Sequence, residues 1–233
     1  MVEAIGGTIG AAGGLMAYAV RGRSSSLFGP SVYRGPKDRA VIALTFDDGP
    51  SESTPELLET FREHRARATF FQCGENVRRL PEIACSVAAG GHEIGNHSQS
   101  HAPFCFRSPR FIHDELARAQ DTIREATGAT PIHFRAPFGA RWFGLRTAQR
   151  KLGLMGVMWT VIGLDWRLSA ERITDRLLRK TVNGAILCLH DGRETQTRPD
   201  VRATVEAVRR LIPALTARGF RFATISELLC PTT

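Results

Sequence analysis

The sequence predicts an α/β fold in which parallel strands, joined by crossover helices, wrap into a closed or nearly closed barrel. Three observations predict it. Short apolar, β-branched runs alternate with amphipathic helical periods from residue 40 to the C-terminus. Helix-like stretches open on Ser, Thr or Pro and stop at Gly. Conspicuous polar residues fall just after strand-like runs, where parallel barrels build active sites.

Residues 40–46 are a buried strand that stops at the turn residues Asp47-Asp48-Gly49-Pro50. Thr54-Pro55 opens a helix to about His64. Residues 68–72 are a second strand, and a helix follows to about Ala89, ended by Gly90-Gly91. A short strand, 92–95, enters His97. Residues 109–127 form a long amphipathic helix stopped by Gly128. Strand 132–134 precedes a helix over 141–152 stopped by Gly153. Residues 155–161 read as one strand, and Ser169 caps a helix to about Thr181. Strand 185–189 is purely apolar. A helix over 200–218 stops at Gly219, strand 222–224 follows, and Ser226 caps a short terminal helix.

With 233 residues, 42% of them hydrophobic, the chain can bury one substantial core. A net charge of +8 would suit anionic partners. Only Lys37, Lys151 and Lys180 are lysines, however, and the arginines, such as Arg118, Arg124, Arg172 and Arg176, are spread along helices. Solvated helix faces are the preferred reading. No zinc-finger or RNA-recognition signature accompanies the charge, which sets nucleic acid aside as a partner. Five cysteines without a CxxC spacing argue against a disulfide scaffold or a structural zinc site. Cys188, inside an apolar run, reads as a small buried hydrophobe. A pairing of Cys73 with Cys105 stays open.

Residues 5–20 are apolar and rich in Gly and Ala, and Arg21 and Arg23 follow. Gly6, Gly10 and Gly14 have the spacing of close helix packing in lipid, although a span needs about 20 residues. Ala17-Tyr18-Ala19 resembles an export cleavage site, although Glu3 precedes the apolar run instead of a basic residue. A loosely packed tail is the third reading. Membrane association or export is preferred, which places the protein in the cell envelope. Residues 24–39 read as a linker, so the chain divides into an N-terminal segment, 1–38, and a folded domain, 39–233.

The chemistry gathers after the strands. Of the adjacent carboxylates Asp47 and Asp48, one can bind a cation while the other stays free as a base; a plain turn is the competing reading. His97 and His101, four residues apart, share a face if they lie on a helical turn. With Asp48 they make three protein ligands and leave room for water, as catalytic zinc sites require. His190, directly after a buried strand, is placed for proton transfer, and a structural role is equally consistent with its position.

Together Thr45-Phe46-Asp47-Asp48-Gly49-Pro50, His97-Ser98-Gln99-Ser100-His101, Arg135-Ala136-Pro137-Phe138-Gly139, Asp165-Trp166 and Leu187-Cys188-Leu189-His190-Asp191 resemble, in order, the motifs of polysaccharide deacetylases with a NodB homology domain, carbohydrate esterase family four. The resemblance runs from about Arg39 to the C-terminus. It implies a distorted (β/α) barrel with about seven parallel strands and removal of N-acetyl groups from amino sugars of a polysaccharide such as peptidoglycan or a chitin-like polymer. It implies Asp48, His97 and His101 as ligands of a divalent metal, usually Zn2+, with Co2+ or Ni2+ accepted. It also implies Asp47 as base, Arg135 as its partner, His190 as acid and Asp165 as the carboxylate that orients His190. The Phe138 backbone N–H would help hold the oxyanion, and Trp166 and Leu189 would wall the acetyl pocket.

Ala136 stands where the family often has a second Pro, and Phe138 where it often has Tyr. An Asp often found shortly before the fourth motif is replaced within 161–164, which bears on substrate choice. The alternative activity on the same fold is a deacylase or deformylase of a lipid-linked or small-molecule amide. A pseudoenzyme would be expected to lack a ligand, base or acid, and all are present. No G-x-S-x-G elbow supports a serine hydrolase.

Overall fold

The computed structural model describes residues 13–230. Its strands are β1 (Ser31–Val32), β2 (Val41–Gly49), β3 (Thr69–Gln72), β4 (Glu93–Asn96), β5 (His133–Phe134), β6 (Met155–Val157), β7 (Val161–Ile162), β8 (Ile186–His190) and β9 (Arg221–Phe222). Every pairing between them is parallel, in the order β1-β6-β5-β4-β3-β2-β8-β7, with β9 on β2. The end strands β1 and β7 do not pair with each other, so the sheet is an open, distorted half-barrel. The helices are α1 (Thr54–Glu63), α2 (Gly74–Arg79), α3 (Pro81–Ala89), α4 (Pro109–Thr127), α5 (Leu145–Leu152), α6 (Ala170–Lys180), α7 (Arg202–Ala217) and α8 (Ile225–Leu229).

β2 organises the core because both of its faces are buried. Ile42, Leu44 and Phe46 point outward, into the layer where Leu57 and Phe61 of α1 and Leu211 and Leu215 of α7 pack. Val41 and Ala43 point inward with Phe71, Val157 and Ile186. The two-residue period of a strand then carries Thr45 and Asp47 to the inner face. Gly95 of β4 lies beneath Phe71: an added Cβ would sit 2.3 Å from a Phe71 ring carbon. Gly95→Ala is therefore expected to destabilise the fold by about 1–3 kcal/mol, read as a lower urea midpoint.

Several local expectations are corrected. Among the described residues the sheet has nine strands, because β1 and β7, of two residues each, show no period of their own and add to those expected. The strand expected over 155–161 is two: β6 pairs with β5, β7 pairs with β8, and the residues between them cross the opening of the barrel. The helix expected to run to Ala89 breaks at Leu80 (φ −131°, ψ 57°), where Pro81 starts the next one. α5 begins at Leu145, because Gly144 at φ 90° is left-handed. The terminal helix is capped by Thr224, which forms a reciprocal capping box with Glu227, instead of by Ser226. All five cysteines are free, Cys73 and Cys105 included.

The stretch 24–39, expected to be a linker, contains β1, which pairs with β6. It is held by side chains distant in sequence. The buried Arg141 guanidinium donates to the carbonyls of Gly22 and Ser25 and to Ser31 Oγ. Phe28 packs on Trp142 and Phe143 with ring centroids 5.8 and 4.8 Å apart. Residues 13–21 are helical. No helix among the described residues is long and apolar enough to cross a membrane. The first half of the apolar segment 5–20, with Gly6 and Gly10, lies outside the described residues.

Candidate active site

The strand ends converge on one pocket of about 540 Å3. Strict alternation would send Asp48 outward after Phe46. A bulge between Asp47 and Gly49, with Asp48 at φ 71°, turns it back to the mouth beside Asp47. His97 and His101 follow β4. They lie on a loop and not on a helical turn, with Ser98 at φ 66° and His101 at φ 58°. Local hydrogen bonds hold this loop: Ser98 N donates to Asn96 Oδ1 at 2.8 Å and His101 N to Ser98 Oγ at 3.1 Å.

Asp48 Oδ1 lies 3.2 Å from His97 Nε2 and 3.0 Å from His101 Nε2. It is buried and makes no aligned hydrogen bond. A buried carboxylate oxygen in that position is costly unless a cation completes it. The His97 ring is oriented by its Nδ1, 2.7 Å from the Arg135 carbonyl, which leaves Nε2 for a metal. One ligand atom from each of Asp48, His97 and His101 lies within 4.8 Å of the others. Three buried O/N donors aimed at a common point fit a divalent ion with an open position. Burial pushes the Asp48 carboxyl up, but the two imidazoles hold it well below the usual carboxylate range.

Asp47 faces the same pocket and pairs with Arg135: Nη1 is 2.6 Å from Asp47 Oδ1. Arg135 is wholly buried. It also donates to the Val157 carbonyl at 3.0 Å and to Thr45 Oγ1 at 2.9 Å, and it lies 4.3 Å over the Phe71 ring. Opposite, His190 Nδ1 is 2.8 Å from Asp165 Oδ1, while Thr204 Oγ1 donates to Asp165 Oδ2 at 2.7 Å.

The comparisons with known proteins agree with this geometry. The polysaccharide deacetylase family model matches residues 34–157. The chain is 38% identical over 196 residues to the chitooligosaccharide deacetylase of Bradyrhizobium sp. (strain ANU 289), which covers 80% of this chain and 90% of that relative. This chain belongs to the polysaccharide deacetylase family. It is thereby a hydrolase of the class that acts on N-acetyl amide bonds. The Bc1960 peptidoglycan N-acetylglucosamine deacetylase superimposes with a TM-score of 0.79 at 31% identity, covering 84% of this chain and 91% of that chain. Wild-type BA3943, a CE4 family pseudoenzyme from Bacillus anthracis, also reaches 0.79, at 28% identity, covering 88% of this chain and 70% of that chain. A fold shared with a pseudoenzyme carries no chemistry by itself, so the side chains have to.

Within this deacetylase fold the other expected residues separate into two groups. Phe138 and Trp166, each 48% exposed, stand at the rim. Phe138 meets the His101 ring edge-on at 4.6 Å, and Trp166 meets His190 at 5.3 Å. Phe138 has φ 58° and ψ 12°, a strained backbone for an aromatic residue of the kind that collects at functional sites. Leu189 is different: it is fully buried in the outer core layer with Leu187, away from the pocket. Residues 186, 188 and 190 of β8 share the inner face, so Cys188 lines the pocket where Leu189 was expected. A parity count back from His190 would have found it.

Arg21, Trp159 and Glu194 also line the pocket, and nothing in the sequence singled them out. Arg21 arrives from the N-terminal helix: Arg141 N donates to the neighbouring Val20 carbonyl at 3.1 Å, and Arg23 donates to the Thr160 carbonyl. Asp191, buried behind Asp48, is raised to about 7 by burial and by the Asp48 and Asp47 charges, against a hydrogen bond from Thr54.

Burial alone would lower the His190 pKa, but the Asp165 charge and hydrogen bond outweigh it and raise it to about 9. The acid form is then present below about 9 and lost above it. A cation beside Asp48 would oppose this rise. Asp165→Asn removes the charge, so the alkaline limb of the kcat/KM–pH profile is expected to move to lower pH. An unmoved limb would mean that His190 is not the titrating acid.

Proposed function

We propose that this chain is a metal-dependent N-deacetylase of amino-sugar polymers, peptidoglycan or chitin-like, working in the cell envelope. The observation that carries this reading is the convergence, in one pocket, of the Asp48–His97–His101 donors with the Asp47–Arg135 and His190–Asp165 pairs. A divalent ion, Zn2+ first and Co2+ or Ni2+ as substitutes, would supply Lewis-acid polarisation of the acyl carbonyl and of water when held there.

The chain's own residues do the rest. Asp47 accepts the proton of the attacking water, and Arg135, 2.6 Å from its Oδ1, holds it aimed. The Phe138 N–H, presented by its left-handed backbone, donates to the developing oxyanion. His190, protonated and oriented by Asp165, gives its proton to the sugar nitrogen, since an unprotonated amine is a poor leaving group. Trp166 and Cys188 bound the space for the acetyl group. Arg21 contacts the sugar, so Arg21→Ala is expected to raise KM about tenfold with kcat nearly unchanged, as for loss of one charged hydrogen bond.

The deciding experiment is acetate release from N-acetylglucosamine oligomers and from peptidoglycan, before and after chelation, with zinc and cobalt added back. Release that is lost on chelation and restored by metal supports the reading, and the ratio of rates chooses the polymer. No release from either by folded, zinc-loaded protein would refute it.

A further inference from the structure

Cys188 puts a thiol on the inner face of this pocket. Its Sγ is fully buried and lies 3.5 Å from Asp47 Oδ2. One ligand atom from each of Asp47, Cys188 and His190 lies within 4.8 Å of the others. Each partner is already anchored on its far side. Asp47 spends Oδ1 on Arg135 and His190 spends Nδ1 on Asp165, which leaves Asp47 Oδ2, Cys188 Sγ and His190 Nε2 as the remaining donors. Anchored ligands of this kind are what a metal site requires of its surroundings.

We propose that Asp47, Cys188 and His190 form a second, inhibitory cation site, selective for soft or borderline divalent ions such as cadmium and excess zinc. It rests on the roles given above to Asp47 and His190, because the same ion occupies the base and the acid together. A tetrahedral zinc has bonds of about 2.0 Å to N or O and about 2.3 Å to S, which separates its ligand atoms by roughly 3.3–3.5 Å. Cys188 Sγ and Asp47 Oδ2 stand at 3.5 Å before any adjustment. The thiol selects the ion: a thiolate favours soft cations, whereas Mg2+ and Ca2+ prefer oxygen.

On binding, the Sγ–H bond breaks and its proton leaves to solvent as the Sγ–metal bond forms; nothing is oxidised or reduced. Burial and the Asp47 charge disfavour the thiolate, and Arg135 Nη1, 3.6 Å from Sγ, partly offsets them. Two anions, Asp47 and the thiolate, then face Arg135 and the incoming dication. The site is separate from the Asp48–His97–His101 set, which shares none of these side chains.

The test uses the full chain in a Cys85→Ser, Cys230→Ser background, because those two thiols are exposed. It is loaded with one equivalent of zinc and titrated with cadmium chloride. The ultraviolet charge-transfer band of a cadmium–thiolate bond, the zinc released and the rate of acetate release are read in parallel. The expected result is a thiolate band that saturates near one equivalent of cadmium without zinc release, with activity falling in step by on the order of tenfold or more. Cys188→Ser should abolish the band and weaken cadmium inhibition on the order of tenfold or more, each variant measured against its own uninhibited rate. Magnesium should do neither. Retention of one zinc shows that the variant is folded, and Cys188→Ala replaces it if that zinc is lost. Absence of the band, its survival in the Cys188 variant, or a band without inhibition overturns the proposal. If the zinc-loaded protein releases no acetate from any substrate, the deacetylase reading has failed instead. The band and its dependence on Cys188 then still decide whether the site exists.

Discussion

Asp47→Asn is expected to lower kcat on the order of a thousandfold while metal stoichiometry stays unchanged. The base is lost because a carboxamide cannot take the proton of the attacking water, and general-base catalysis contributes about 10²–10⁴ to a rate. Metal should be retained because its proposed donors are Asp48, His97 and His101. The substitution also acts on the fold. Arg135 is wholly buried, and Asp47 is its carboxylate partner. Removing one partner of a buried pair costs about 3–5 kcal/mol, because the other charge is left uncompensated. The contacts of Arg135 to Thr45 and to the Val157 carbonyl moderate the loss. Acetate release, bound metal and a urea titration on one preparation separate the two effects. Near-normal turnover would assign the base elsewhere, and lost metal would make Asp47 a ligand.

Asp48→Asn should weaken zinc binding on the order of a hundredfold or more and abolish activity at stoichiometric metal. Two imidazoles alone leave the ion without an anion in a buried site, where an unbalanced charge is most costly. Asp48 is also held by the Glu194 N–H, 2.9 Å from Oδ2, which aims Oδ1 between the two rings. An amide there could turn its NH2 toward the rings and present a donor where an acceptor is needed. Competitive metal titration against a chromophoric chelator measures the effect. If zinc affinity were unchanged, the His97–His101–Asp48 assignment would fall.

The site was legible because chemistry repeats in residue type. Asp47-Asp48 after an apolar run, two histidines four apart and His190 after a buried strand were each readable in order along the chain. Three details were not. The four-residue spacing of the histidines suits a helical turn, but the left-handed residues Ser98 and His101 that build the loop carry no signal in residue type. The family resemblance implies Leu189 as a pocket wall, yet strand parity hands that wall to Cys188. Residues 24–39 were read as a linker because a two-residue strand cannot show a period, and their anchor, Arg141, is more than a hundred residues away.

By itself, the sequence determined the α/β alternation, the parallel strands and the family, and it named the residues proposed as metal ligands, base and acid. Those rest on local patterns: periodicity, turn chemistry and short motifs. Tertiary structure alone decided that the barrel stays open, that residues 158–160 bridge its two ends, and that Arg21 and Cys188 reach the pocket. The reason is physical. A side chain's direction depends on strand parity, bulges and left-handed turns, and its neighbours depend on loop closure between distant segments. Neither is written in the residues that come together until the whole chain has packed.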